Sequence, residues 1–212
     1  MWIRMLMWRN GSRGRFRLCW EKFRGGSSPS ISTKLNEGLN YMEVSIHSCS
    51  LGYCLIGTHS KKILMSVELG LTIEDCYRTF INRWNTATYR HYLDIKSERP
   101  DPSVTESVLY AVNTGVYHDK NLPLYLPGTR PKKETWEALT KIKPGTTATY
   151  KQIAEQTESP RAIRAVANTI GDNPLAIIIP CHRVVRSDGS IGGYRWGEEM
   201  KKKILQREKL TT

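Results

Sequence analysis

From residue 41 onward, short apolar runs alternate with polar or glycine breaks. Val44, Ile46 and Cys49, then Cys54-Leu55-Ile56, then Ile63 to Val67 predict three short strands, with Gly52 and Gly57 at breaks. The period changes after Leu71. Thr72-Ile73-Glu74-Asp75 reads as a helix start, with Thr72 as N-cap and acids in the first turn, and Tyr77, Phe80, Ile81 and Trp84 follow at helical spacing. A second helix is expected after Asp101-Pro102, with Ser103 and Glu106 as a capping box and Val108, Leu109, Val112 and Val116 as its apolar stripe. Strands followed by helices predict a small α+β unit over residues 41–126.

Leu122 to Gly128 is proline-rich and reads as an extended linker, after which the pattern becomes helical. Trp136, Leu139 and Ile142 line one helix, stopped at Pro144-Gly145. Thr149 and Gln152 form a capping box that opens a second helix at Tyr150, and Ser159-Pro160 is placed to start a third. That third helix has Ile163, Val166, Ala167 and Ile170 as its expected core stripe. Arg161, Arg164 and Asn168 lie outward beside the small residues Ala162, Ala165 and Thr169. Two short helices joined by a tight turn, the second basic on its outer face, fit a helix-turn-helix; a plain helical hairpin fits the periodicity equally well. After Gly197 a last helix places Met200, Ile204 and Leu205 inward, Lys201 to Lys203 outward, and Glu208 on the apolar face.

Composition narrows the class. The 212 residues are 39% hydrophobic and 25% charged, enough apolar content for a core and too much for a disordered chain. No run approaches the roughly 18 apolar residues of a membrane span, so a soluble protein is expected. The net charge of +12 is uneven: residues 1–26 carry +6, residues 27–126 carry −1, and residues 127–212 carry +7. A polyanionic partner is expected, and it should meet residues 127–212. Residues 1–40 read as a basic, disordered extension. An organelle presequence, a nucleic-acid arm and a start codon upstream of the true one all fit it, the last best. Five scattered cysteines and no apolar leader segment point to free thiols in a reducing compartment, here the cytoplasm. Cys49 and Cys54 fit core positions better than zinc ligation, which needs two further ligands.

The chemistry concentrates late in the chain. The apolar run Leu175 to Ile179 must be buried and leads directly into Pro180-Cys181-His182-Arg183-Val184. A thiol beside an imidazole in a basic region fits a nucleophile of lowered pKa, though an inert structural cysteine fits the dipeptide alone better. Glu208 adds weight to the reactive reading. A carboxylate on an apolar face is costly unless paired, and a histidine ring is its natural partner. Cys181, His182 and Glu208 then make a nucleophile, a base and an orienter.

Residues 173–208 resemble the O6-alkylguanine-DNA alkyltransferases, or methylated-DNA–protein-cysteine methyltransferases, most closely the C-terminal half of the bacterial Ada adaptive-response proteins. The resemblance rests on Asn173-Pro174, Pro180-Cys181-His182-Arg183-Val184, Gly193-Tyr194-Arg195-Trp196-Gly197 and Glu208, and it runs back more weakly to about residue 41. It implies a ribonuclease-H-like α/β N-terminal domain (41–126) and a mostly helical, winged-helix-like helix-turn-helix domain (127–212). It implies that Cys181 accepts the alkyl group, His182 takes its proton through a water, Glu208 orients His182, and Asn173 braces the turn that bears the cysteine. Tyr150 would donate to the departing guanine and Arg164 would replace the extruded nucleotide. Ala162 and Ala165 would let the helix enter the minor groove, Tyr194 and Arg195 would close the pocket, and main chain near Cys181 and Val184 would hold the base. The implied activity is irreversible, single-turnover methyl transfer from O6-methylguanine, with O4-methylthymine as a second candidate substrate, without cofactor or metal, by a monomer on duplex DNA.

Three other functions compete. A lesion sensor that binds without transfer would lack the acceptor cysteine. A transcription factor, or a fragment of an Ada-type regulator, would leave Glu208 unexplained. A cysteine hydrolase would need an oxyanion hole, for which no candidate is evident. One departure from the family is Gly128-Thr129-Arg130-Pro131-Lys132-Lys133, where an aromatic residue is usual shortly after Gly-Thr. It bears on how the helix carrying Trp136 starts.

Overall fold

The computed structural model describes residues 9–10, 15–16, 41–84, 94–96, 99–119 and 121–211. Two short strands, β1 (Arg9–Asn10) and β2 (Arg15–Phe16), pair antiparallel with each other. The rest of the extension expected over residues 1–40 lies outside the described residues. The three expected strands, β3 (Tyr41–Cys49), β4 (Gly52–His59) and β5 (Ile63–Gly70), pair as an antiparallel meander, with Gly57 inside β4 rather than at a break. Helix α1 (Ile73–Trp84) follows, and then β6 (Asp94–Lys96), which the sequence pattern did not predict, pairs parallel with β3. The sheet order is β1-β2-β6-β3-β4-β5.

Alternation along β4, and along β5 on either side of the register shift opposite Gly57 and Thr58, divides the apolar side chains between the two faces of the sheet. Leu55 and Met65 join Met42, Phe80 and Trp84 on the α1 side. Cys54, Ile56, Leu64 and Val67 face the other way, into the larger cluster. That cluster takes in Val108 and Val112 of α2 (Pro102–Thr114), Trp136 and Leu139 of α3 (Arg130–Thr140), and Ile153, Cys181 and Ile204 further on. One apolar core therefore spans the expected boundary at residue 126.

The expected linker is held in place. Leu64 N donates to Pro123 O, and Tyr125 N donates back to Leu64 O. Farther along the same edge, Val67 N donates to Pro174 O and Ala176 N to Val67 O. Unpaired groups on an edge strand need covering, and here the chain before Cys181 covers them.

Beyond α3, the two-residue strands β7 (Ala148–Thr149) and β8 (Val184–Val185) pair in parallel around α4 (Tyr150–Ala154) and α5 (Ile163–Gly171); α6 (Glu198–Thr211) closes the chain. The Thr149–Gln152 capping box forms as expected. Thr72 accepts from Asp75 N and so caps α1. Three local expectations change. Helix α2 is capped by Asp101, whose carboxylate accepts from Ser103 N and Oγ; Pro102 fits the first helical turn, so Ser103 lies inside the helix. Helix α5 starts at Ile163, not after Ser159-Pro160, because Ala162 at ψ 44° leaves the helical region while its N–H closes a turn onto Ser159 O. That late start turns Ile163 outward, 40% exposed, and leaves Val166 and Ile170 buried together with Thr169, which faces in rather than out. No helix among the described residues is long and apolar enough to cross a membrane.

Candidate active site

The segment before Cys181 is buried from Asn173 onward. It turns sharply at Ile177, whose φ of 68° is left-handed and costs a β-branched residue about 1–2 kcal/mol. Asn173 holds this turn. Its Oδ1 accepts from Leu175 N at 2.9 Å, and its Nδ2 donates to Ile179 O at 2.8 Å and to Cys181 Sγ at 3.0 Å. The Asn173 side chain thus spans the turn and touches the thiol itself. A 3-10 turn, Cys181–Arg183, then sets three consecutive buried side chains in different directions.

His182 and Glu208 are both fully buried, and His182 Nε2 lies 2.6 Å from Glu208 Oε1. Arg183, expected as a positive charge beside the thiol, instead shares the carboxylate: its Nη2 donates to Oε1 at 2.8 Å and its Nε to Oε2 at 3.2 Å. Gly145 N adds a further bond to Oε2 at 3.2 Å. Arg183 also donates to Ile142 O and Gly115 O, tying the ends of α3 and α2 to this centre. Burial opposes ionisation of Glu208, but the hydrogen bonds and charges of His182 and Arg183 prevail and hold its pKa below 4.5.

That anion fixes the proton of His182. With Nε2–H donating to the carboxylate, Nδ1 carries the lone pair, and Nδ1 is buried with no hydrogen-bond partner among the described residues. Burial first, then the charges of Arg183 and Lys201, lower the pKa of His182 against the opposing pull of Glu208. The ring is a neutral base at pH 7. The Cys181 thiol departs from expectation. Burial pushes its pKa above 9.0, although the Asn173 hydrogen bond and the charges of Lys201 and Arg83 pull it down. It rests as a thiol, so reaction at neutral pH requires a base to take its proton.

In front of Cys181 lies a cavity of about 630 Å³, lined among others by Tyr150, Tyr194, Arg195, Trp196 and Asp172. Tyr194 packs edge-on against Trp196 with ring centroids 5.0 Å apart, and its hydroxyl is buried without a partner among the described residues. Tyr150 is half-buried, and burial raises its phenol pKa, so it remains a donor at neutral pH. Arg195 is tied across the rim: its Nε donates to Gly171 O at 2.8 Å, and Nη2 lies 3.4 Å from Asp172 Oδ1. Arg164 and Ala165 are exposed on α5, with Ala162 just before it, all outside the cavity lining. Val184 packs in the core rather than lining the cavity.

Lys201 corrects the expected outward run of lysines. It is 1% exposed, and its Nζ donates to Val184 O and Ile191 O, both at 2.6 Å, which joins the two ends of the loop between β8 and the cavity wall. Burial lowers its pKa to about 8. Its position next to Met200 on the helix was the available signal, because a long side chain beside an apolar stripe can reach across it.

Comparison with known proteins points to the same segment. Residues 130–210 match the family model of the 6-O-methylguanine DNA methyltransferase DNA-binding domain. The bifunctional transcriptional activator/DNA repair enzyme Ada of Escherichia coli is 51% identical over 87 residues, which are 41% of this chain and 25% of Ada. The methylated-DNA–protein-cysteine methyltransferase of Haemophilus influenzae is 41% identical over 90 residues, 42% of this chain and 50% of the relative. The chain thus spans between a quarter and a half of the length of these two curated relatives. A crystal structure of the Mycobacterium tuberculosis enzyme OGT in complex with DNA superposes with a TM-score of 0.61 at 27% identity, covering 80% of this chain and 93% of that one. The resemblance first carried by the Pro-Cys-His-Arg-Val segment therefore extends over the stretch from α3 to Glu208, and the α+β architecture is that of solved members.

Proposed function

We propose that this chain repairs DNA by direct reversal, moving the methyl or larger alkyl group from O6 of guanine onto Cys181, once per molecule. The observation that carries the reading is the buried His182–Glu208 pair directly behind a cysteine that opens onto a cavity. In the proposed step His182 Nδ1 takes the Cys181 proton by way of a water. The sulfur attacks the methyl carbon in line as the C–O6 bond breaks, and the electron pair leaves with guanine. That anion leaves poorly unless it is protonated or hydrogen-bonded, which is the part assigned to the Tyr150 phenol. The product is a thioether, and no residue in the site can hydrolyse it. Donor and acceptor are both present in the complex, so the step calls for no cofactor and no metal.

A stacked base cannot reach Cys181, so the nucleotide must be extruded at a cost of a few kcal/mol. Arg164, exposed on α5 beside Ala162 and Ala165, is the side chain we assign to the vacated place, with α5 in the minor groove. Tyr194 and Arg195 close the pocket, and backbone near Cys181 holds the base. We read residues 41–126 as a ribonuclease-H-like domain, residues 127–212 as a winged-helix-like DNA-binding domain, and residues 1–40 as an extension. The reading takes the protein to be monomeric and cytoplasmic.

The test is intact mass and peptide mapping after incubation with duplex DNA containing O6-methylguanine. The expected result is one methyl group per protein, on Cys181, with Cys181→Ser binding the same DNA and gaining nothing. Methylation of Cys49, Cys54 or Cys76 in its place, or many turnovers per molecule, would overturn the reading.

A further inference from the structure

A second buried charge cluster, formed by one residue of the sheet and one of α1, borders the cavity through Trp196 and Asp172. Glu68 of β5 is fully buried, and Arg83 of α1 is 5% exposed. Arg83 Nε donates to Glu68 Oε1 at 2.7 Å. The other carboxylate oxygen accepts from Trp196 Nε1 at 2.8 Å, and Arg83 Nη1 donates to Asp172 O at 2.6 Å. The Arg83 guanidinium carbon also lies 6.0 Å from the centre of the Trp196 ring. Trp196 and Asp172 both line the cavity, one on the loop after Tyr194 and the other at the end of α5.

Stability is a poor reason to keep such a pair, because a buried ion pair can often be replaced by apolar side chains at no loss. Its geometry supplies a better one. Each member of the pair binds its partner with one group and a different piece of cavity wall with another, and both pieces lie beyond residue 130. We propose that Glu68 and Arg83 are positioning residues for transfer at Cys181: they lock Trp196 and the end of α5 at the spacing that holds the alkylated base against the sulfur. This rests on the alkyl-transfer reading above. Neither residue touches the reacting atoms. The pair acts through Trp196 and Asp172, so it affects the chemical step after DNA is bound.

The test is single-turnover transfer with full-length protein over a range of methylated-duplex concentrations, for wild type, Glu68→Gln, Arg83→Lys, Trp196→Phe and the Glu68→Gln/Trp196→Phe double variant, each at a temperature where melting shows it folded. The expected result for Glu68→Gln is a limiting rate lower by about ten- to a hundredfold, the scale for a misplacement near 1 Å, with the half-saturating DNA concentration little changed. Trp196→Phe leaves the ion pair intact but removes the anchored N–H, so it should reproduce much of that loss, and the double variant should lose little more. If Glu68→Gln does not fold, Arg83→Lys and Trp196→Phe decide by the same split. A folded variant with the wild-type limiting rate, a loss confined to half-saturation, or effects that simply multiply in the double variant would overturn the proposal. Wild-type protein that transfers nothing would instead overturn the alkyl-transfer reading itself.

Discussion

Glu208 Oε1 receives the Nε2 proton of His182 at 2.6 Å with neither side chain exposed to solvent. The pair converts a helix position into a statement about protons. The carboxylate fixes the tautomer, and the tautomer leaves Nδ1 as the base for a thiol that burial keeps protonated. Because Arg183 binds the same carboxylate, Glu208 steers the imidazole without making it permanently cationic.

Glu208→Gln should therefore lower the transfer rate at neutral pH and change its pH dependence. In the wild type the rate should fall only as pH drops through the pKa of His182, which lies below 6.5. Without the carboxylate the imidazolium loses its support, and the rate should instead climb with pH toward ionisation of the thiol itself, above 9.0. The profile moves upward while DNA affinity stays the same. Arg183 would be left as an unbalanced buried charge, so a stability loss of roughly 3–5 kcal/mol is expected as well. The check is a pH–rate profile on the folded variant. An unaltered profile would mean that His182 works without its orienter.

How much of this was legible beforehand depends on whether each signal was local. Glu208 could be read because helical phase set a carboxylate beside Met200 and Ile204. Asn173 and Tyr150 came only through family resemblance. Lys201 was misread because binary patterning treats a lysine as outward, whereas its flexible stem carries the ammonium to two carbonyls inside. The partners of Arg183 and Glu68 lie on elements far away in sequence, and no periodicity reports them. The interruption of Met65-Ser66-Val67-Glu68-Leu69 by a carboxylate was a usable sign that some partner must exist. Strand β6 was missed because three residues are too few to establish an alternation.

Arg164 tests the extrusion step. Among the described residues its guanidinium makes no hydrogen bond, and α5 presents it to solvent. Arg164→Ala should slow repair of paired duplex by about tenfold or more, its share of an extrusion cost of a few kcal/mol, and should slow repair of a single-stranded substrate far less. Parallel single-turnover rates on the two substrates provide the check. Equal losses on both would remove Arg164 from that role.

Lys201 makes a prediction about stability and pH. Its pKa falls from 10.5 in the unfolded chain to about 8 in the fold, so between those values the unfolded state binds more protons. The stability it contributes is fully present above 10.5 and is lost as pH falls to about 8. Wild type should therefore gain stability over that window relative to Lys201→Met, whose curve should be flatter. Denaturant melts at several alkaline pH values measure this, and parallel curves would contradict the buried ammonium.

Gly115 offers a test in which backbone strain and a site contact can be separated. It ends α2 at φ +82°, and an added Cβ would meet Glu208 Cγ at 2.9 Å. Gly189 has nearly the same φ, +81°, with nothing within 4 Å of the added atom. Alanine at either position incurs the left-handed penalty of about 1–2 kcal/mol, so Gly189→Ala sets the baseline for that cost alone. Gly115→Ala adds a push on Glu208, whose two oxygens already hold His182, Arg183 and Gly145 N. The carboxylate has no slack in which to move without loosening one of these bonds. Gly115→Ala should therefore be the less stable of the two and should slow transfer beyond its loss of folded protein, whereas folded Gly189→Ala should transfer at the wild-type rate. Denaturation curves combined with single-turnover rates separate the two effects. Equal rates in both variants would mean that Glu208 can shift without consequence for His182.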